Sequence, residues 1–192
     1  MRDRFPEFRL GKVLATSFTA TLTERQSEPV ERIPTPQRLL DWLAVYGLDV
    51  DSCTLAELAL ARELRESIHS VATAAALQEA LPASAVRVIN DRSVQGRAAA
   101  VLTPGGERRW RLGPESRVED ALSVIAADAI GIVAGERDGK LALCASPTCR
   151  AAFFDASQSR TRRWCDMNTC GNRQKKARFH AGRRGGTGPA TG

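Results

Sequence analysis

The sequence predicts a mostly helical N-terminal domain carrying one β-hairpin, followed by a small module organised by four cysteines. Three observations carry that reading. Aromatic residues make up 5% of a chain that is 43% apolar, so its core rests on Leu, Val, Ile and Ala, which favours helices over a β-sandwich. Apolar residues recur at steps of three and four behind helix caps at several points before residue 135. Four of the five cysteines then fall between Cys144 and Cys170, in two equally spaced pairs. At 192 residues the chain is one large domain or two small ones.

In order along the chain, Val13, Leu14, Phe18 and Leu22 lie close to helical spacing, although the threonines among them also suit a strand. The same stretch loosely imitates a signal peptide, but Thr16, Ser17, Thr19 and Thr21 interrupt it and Asp3 and Glu7 precede it, so it is read as structure. Thr35 caps and Pro36 opens a helix through Leu39, Leu40, Leu43 and Tyr46, closed by Gly47. Thr54-Leu-Ala-Glu57 is a capping box that starts a long helix through Leu60, Leu64, Ile68, Val71 and Ala75, ended by Pro82. Val86–Ile89 predicts another helical turn or two. Ala98–Thr103 and Glu107–Leu112 flank Pro104-Gly105-Gly106, the strongest hairpin signal in the chain. Ser116-Arg-Val-Glu119 reads as a second capping box, opening a helix with Val118, Leu122, Ile125, Ala129, Ile132 and Val133 on one face. Gly135–Gly139 leads straight into the cysteines, with no long linker. After His180 the Gly- and Arg-rich tail has no large apolar residue and is expected to be disordered. The expected division is 1–138, 139–181 and a tail over 182–192.

Charge is divided as unevenly as the cysteines. Residues 1–139 hold 17 basic and 20 acidic residues, whereas 140–192 hold 11 basic and 2 acidic. A basic block of this kind reads as a surface for phosphates or acidic lipids. No run of about 18 apolar residues exists to span a membrane. Five cysteines, an odd number, favour a cytoplasmic chain with reduced thiols.

Cys144-x4-Cys149 and Cys165-x4-Cys170 form two short chelating pairs, and four thiolates suit tetrahedral zinc. Two disulfides, a [2Fe–2S] centre and unrelated buried thiols are the other readings. A closed four-cysteine shell leaves no open coordination position, so one structural zinc is expected rather than a catalytic one. About forty residues bury little core, so the metal would supply much of this module's folding free energy. Ala152–Asp155 and Arg162–Trp164 are expected to pair as a hairpin turned at Ser157–Ser159. Cys170 would then lie near the start of a helix carrying Arg173, Lys175, Lys176 and Arg178.

The run Trp164-Cys165-Asp166-Met167-Asn168-Thr169-Cys170-Gly171-Asn172-Arg173-Gln174-Lys175 resembles the signature of the CGNR zinc finger, whose four letters stand at Cys170–Arg173. Cys144-x4-Cys149, Phe153–Asp155 and Arg162–Trp164 also match its pattern. Residues 8–135 resemble, more weakly, the ABATE domain that precedes this finger. The marks are Gly11 to Thr21, Thr35-Pro36 leading into Asp41-Trp42-Leu43, and Ala127–Ile130; Ser17 and Ala20 stand where family members usually carry an Asp and an Asn. The resemblance implies an α+β N-terminal domain followed by a treble-clef-like zinc finger. Cys144, Cys149, Cys165 and Cys170 would be the metal ligands, in bacterial proteins regarded as stress-related transcription regulators.

Arg162, Arg163, Arg173, Lys175, Lys176 and Arg178 are candidates to contact phosphates, with Asn172 or Arg173 reaching a base edge. A solvated face that only keeps the protein soluble is the bland alternative. Asn172 and Arg173 divide between a role in the module's own structure and one on nucleic acid. Trp42, Trp110, Phe153, Phe154 and Trp164 read as packing residues, His69 as a partly exposed helix residue, and Cys53 as an ordinary small residue. No Gly-rich phosphate loop or histidine–acid–nucleophile set appears, and the chain has only two histidines, so an enzyme is not expected. The function expected is a zinc-dependent DNA-binding regulator. Its N-terminal domain would sense a small-molecule effector or form a homodimer. A protein-interaction adaptor and an RNA-binding module are the rivals.

Overall fold

A computed structural model describes residues 5–185, without the side chains of Arg178 and residues 180–185. The order of elements is α1 (Leu14–Thr19), β1 (Leu22–Thr23), β2 (Val30–Glu31), α2 (Pro36–Val45), α3 (Leu55–Leu77), α4 (Ala83–Gln95), β3 (Ala99–Leu102), β4 (Arg108–Arg111), α5 (Val118–Val133), β5 (Lys140–Leu143), β6 (Ala152–Asp155), a π-turn (Met167–Gly171) and α6 (Asn172–Gly185). The fold is α+β, with helices dominating and three two-stranded antiparallel sheets, β1–β2, β3–β4 and β5–β6, among the described residues.

Local signals account for most of these boundaries. The Thr35 hydroxyl accepts from the Arg38 amide with Pro36 in the first turn, and Thr54 and Glu57 close their box in both directions. The hairpin pairs Ala100 with Trp110 and Val101 with Arg109. The 13 residues of α4 exceed the turn or two expected, because Val86 and Ile89 seat it between α3 and α5. At α5 the cap falls one residue later than expected. Ser116 takes a left-handed φ of 41°, and Asp120, not Glu119, accepts from the Arg117 amide as well as from Arg97. A carboxylate shared by two chain segments outweighs the local Ser116–Glu119 box.

The ambiguous first segment resolves into a short helix and a short strand. Val13 gives α1 no side-chain cap; instead Asp128 of α5 accepts from the Ala15 amide at 2.8 Å. Phe18, Trp42, Leu43, Leu64, Ile68, Leu122 and Ile125 form the centre of the core, all essentially inaccessible. Phe18 and Tyr46 flank Trp42 at 5.1 and 4.7 Å between ring centroids. Arg65 is buried on α3 and holds Glu31 of β2 through two hydrogen bonds of 2.8 and 2.9 Å. His69 is half-buried on the same helix.

The cysteine module is packed on this body. The expected hairpin between Ala152–Asp155 and Arg162–Trp164 does not form. Ala152–Asp155 pairs instead with Lys140–Leu143, and Arg162–Trp164 runs as irregular chain. The reason is burial: β5 and β6 lie against α3, which lets Phe154 enter the main core beside Leu141. Gly139 makes the approach feasible, because a Cβ there would sit 2.4 Å from the Phe154 ring. At the other end α6 continues to Gly185, past the point where disorder was expected, and the tail from residue 186 on lies outside the described residues. No described helix is long and apolar enough to cross a membrane.

Candidate metal centre

Two chain reversals present the four thiols. The first follows β5: the Cys144 amide donates to Ala151 O at 2.9 Å and the Cys149 amide to Ser146 O at 3.1 Å, which closes the loop between the first pair. Arg150 turns the chain into β6 with a left-handed φ of 49°. The second reversal begins at Cys165. The Asp166 carboxylate accepts from the Thr169 amide at 2.8 Å, the π-turn follows, and Cys170 arrives where α6 starts. The positive end of that helix favours anionic sulfur.

Asp155 brings the two reversals together. Fully buried at the end of β6, it accepts from the Ser157 amide (3.0 Å), the Ser157 hydroxyl (2.6 Å) and the Arg162 amide (2.9 Å). These donors, Ser157 first, hold its carboxyl below the usual range. The chain therefore returns past β6, and the Ala145 amide donates to Arg163 O at 2.8 Å beside the first pair.

All four Sγ atoms lie within 4.8 Å of one another, with Cys149–Cys165 at 3.6 Å and Cys165–Cys170 at 3.7 Å. A tetrahedron with Zn–S bonds of about 2.3 Å has S–S edges of roughly 3.8 Å, so the donor set fits one zinc ion. The disulfide reading fails on the same measure, since an S–S bond spans only about 2.05 Å, and all four cysteines are free. Cys144, Cys149 and Cys170 are inaccessible and Cys165 is half-buried, with Trp164 and Ala151 packed around them. A divalent cation would pair with all four thiolates and offset the repulsion of four sulfurs held this close. With four sulfurs in the shell, the chemistry available is support of the fold.

Residues 12–136 match the ABATE family, described as "Putative stress-induced transcription regulator", and residues 140–183 match the CGNR zinc finger. The chain belongs to the ABATE family. Its ABATE domain is followed by a CGNR finger whose four cysteines are the cluster above. Both matches name regulator or zinc-finger families rather than enzymes. No curated protein matches the chain.

Several basic residues of the finger have partners within the protein. The Arg162 guanidinium donates to Trp164 O at 2.7 Å and to Cys165 O, and lies 5.1 Å from the Phe153 ring centre. Arg163 stacks on Trp164 at 5.4 Å. The Asn172 side-chain amide Nδ2 donates to Asn168 O at 3.2 Å, within the π-turn and α6. Arg173 reaches Glu24 of the ABATE domain in a two-pronged pair of 2.6 and 3.0 Å. Lys175 and Lys176 are exposed and have no salt bridge among the described residues. The Arg178 side chain lies outside the described residues. Glu24 and Thr148 were not legible as site residues, because their partners are distant in sequence. Asp155 was legible only as part of the Phe-Phe-Asp match.

Proposed function

We propose that this protein is a DNA-binding transcription regulator whose zinc-stabilised finger, residues 139–181, carries a basic helix to the phosphate backbone. The observation that carries the reading is α6: it starts at the metal site and presents exposed Lys175 and Lys176, with Arg178 one turn beyond Lys175. Arg163, on the irregular segment beside it, completes the phosphate-contacting set. Arg162 and Asn172 serve the finger's own structure, and Arg173 joins the finger to the ABATE domain. Residues 1–138 supply sensing or self-association, with the tail over 182–192 following the finger, and the protein acts in the cytoplasm. A cavity of about 490 Å³ between α1 and the finger, lined by Arg9, Lys12, Phe153 and Arg162, supports the sensing role. It offers a small effector contacts to both halves at once.

Titration of the zinc-loaded chain against duplex DNA tests this. Four phosphate contacts give a slope of log affinity on log salt of roughly −3.6. Charge reversal at Lys175 and Lys176 should flatten the slope by about two and weaken binding to every duplex alike. A chain that binds no duplex at low salt, or binds one without salt dependence, refutes the proposal. Preference for RNA in direct competition would move the assignment to an RNA-binding module. Retention of partner proteins after charge reversal, without DNA binding, would favour an adaptor.

A further inference from the structure

We infer that Arg173 is a positioning residue, not a phosphate contact: paired with Glu24, it fixes the direction in which α6 leaves the body of the protein. The inference rests on the DNA-binding reading for its functional consequence and on geometry alone for the junction.

Glu24 stands in the turn after β1 with a left-handed φ of 55°, and its side chain is only 12% exposed. Three donors converge on it. Arg173 contacts both carboxylate oxygens, the Thr148 hydroxyl donates at 2.9 Å, and the Arg9 guanidinium lies at 3.7 Å. The Arg173 guanidinium also donates to Thr148 Oγ1 at 3.1 Å, and the Gln26 amide donates to Thr148 O at 3.1 Å. Thr148 lies between the first two cysteines and Arg173 lies three residues after the last. One carboxylate of the ABATE domain therefore grips both reversals of the metal site.

A DNA phosphate that took the two nitrogens Arg173 turns to Glu24 would have to break that pair. That would leave a mostly buried carboxylate with one hydroxyl and a distant cation, the costly case of a broken, partly desolvated pair. Helix geometry supports the positioning role. At about 100° per residue, Lys175 projects from the side of α6 roughly opposite Arg173, so anchoring one face aims the other outward.

The sign of one substitution separates this role from electrostatics. Glu24→Ala removes a negative charge beside a basic helix, so charge alone predicts tighter DNA binding. Positioning predicts weaker binding, by roughly tenfold. Anisotropy with a labelled duplex on the full zinc-loaded chain reads the difference. Arg173→Lys keeps the charge but not the two-pronged geometry, and should weaken binding comparably. Glu24→Gln, which keeps one acceptor for Arg173, should fall between wild type and Glu24→Ala. Unchanged or tighter binding by Glu24→Ala overturns the inference, as does wild-type affinity in Arg173→Lys. A second readout needs no DNA: hydrogen exchange at the Gln26 amide and across residues 172–178 should quicken in both variants while zinc stays at one per chain. Unchanged exchange refutes the junction. If the wild-type chain binds no duplex, the regulator reading falls, and exchange still decides the junction.

Discussion

Phe154→Ala tests whether the finger and the ABATE domain share one core. Phe154 belongs to β6 of the finger, yet its ring packs in the main hydrophobic cluster of the body and is 9% exposed. Truncation of a buried Phe costs about 3–5 kcal/mol in comparable cores. Area gives a similar figure: a buried aromatic removes at least about 150 Å² from water, worth roughly 4 kcal/mol at about 25 cal/mol per Å². A domain of this size shifts by about 2–4 °C per kcal/mol, so the midpoint should fall by roughly 8–16 °C. Two probes separate the halves. Fluorescence is weighted to the body by Trp42 and Trp110, and zinc release to a chromogenic chelator reports the finger. Both transitions should move down together. If zinc release moves while the fluorescence midpoint of the body stays within about 2 °C of wild type, the shared-core reasoning is wrong.

Three further outcomes follow from the same structure. Metal analysis should give one zinc per chain, and Cys165→Ser should lose it along with the near-ultraviolet signal of Trp164, which packs on the cluster; zinc retained at full occupancy would contradict the four-sulfur shell. For Glu31, burial raises the pKa but Arg65 more than offsets it, so the folded value lies below the ordinary 4.5; its contribution is complete above that pH and is lost as pH falls through the lower folded value, so the stability gap between wild type and Glu31→Gln in urea titrations should be full at pH 7 and close in strong acid. His69 is pushed down from 6.5 to about 4 by burial, aided by Arg25 and opposed by Glu66, so the unfolded chain takes up its proton first as pH falls; the resulting loss of stability between about pH 6.5 and 4 should be absent in His69→Gln, and an NMR titration of His69 near 6.5 would contradict its burial.

The elements legible from sequence are those specified within a few residues. Thr35-Pro36, the Thr54–Glu57 box and the hairpin around Pro104–Gly106 each bring together groups that meet whichever way the rest of the chain packs. The failures lie where a distant group outbid a local one. Asp120 displaced the Ser116 box because it also serves the Arg97 amide, and Asp128 supplied the cap that Val13 lacks. Ala152–Asp155 was expected to pair forward with Arg162–Trp164, and the space that α3 and Gly139 leave for Phe154 set it against Lys140–Leu143 instead.

By itself, the sequence determined the helical body, the four-cysteine cluster and the uneven charge, because chelate spacing, periodicity and composition are properties of neighbouring residues. The tertiary structure alone decided which partners the finger's cations meet. A guanidinium reads the same in sequence whether it faces solvent or a carboxylate, and the carboxylate that Arg173 meets is 149 positions away. Only folding brings Glu24 to it, and that pair sets Arg173 apart from Lys175 and Lys176, which stay exposed.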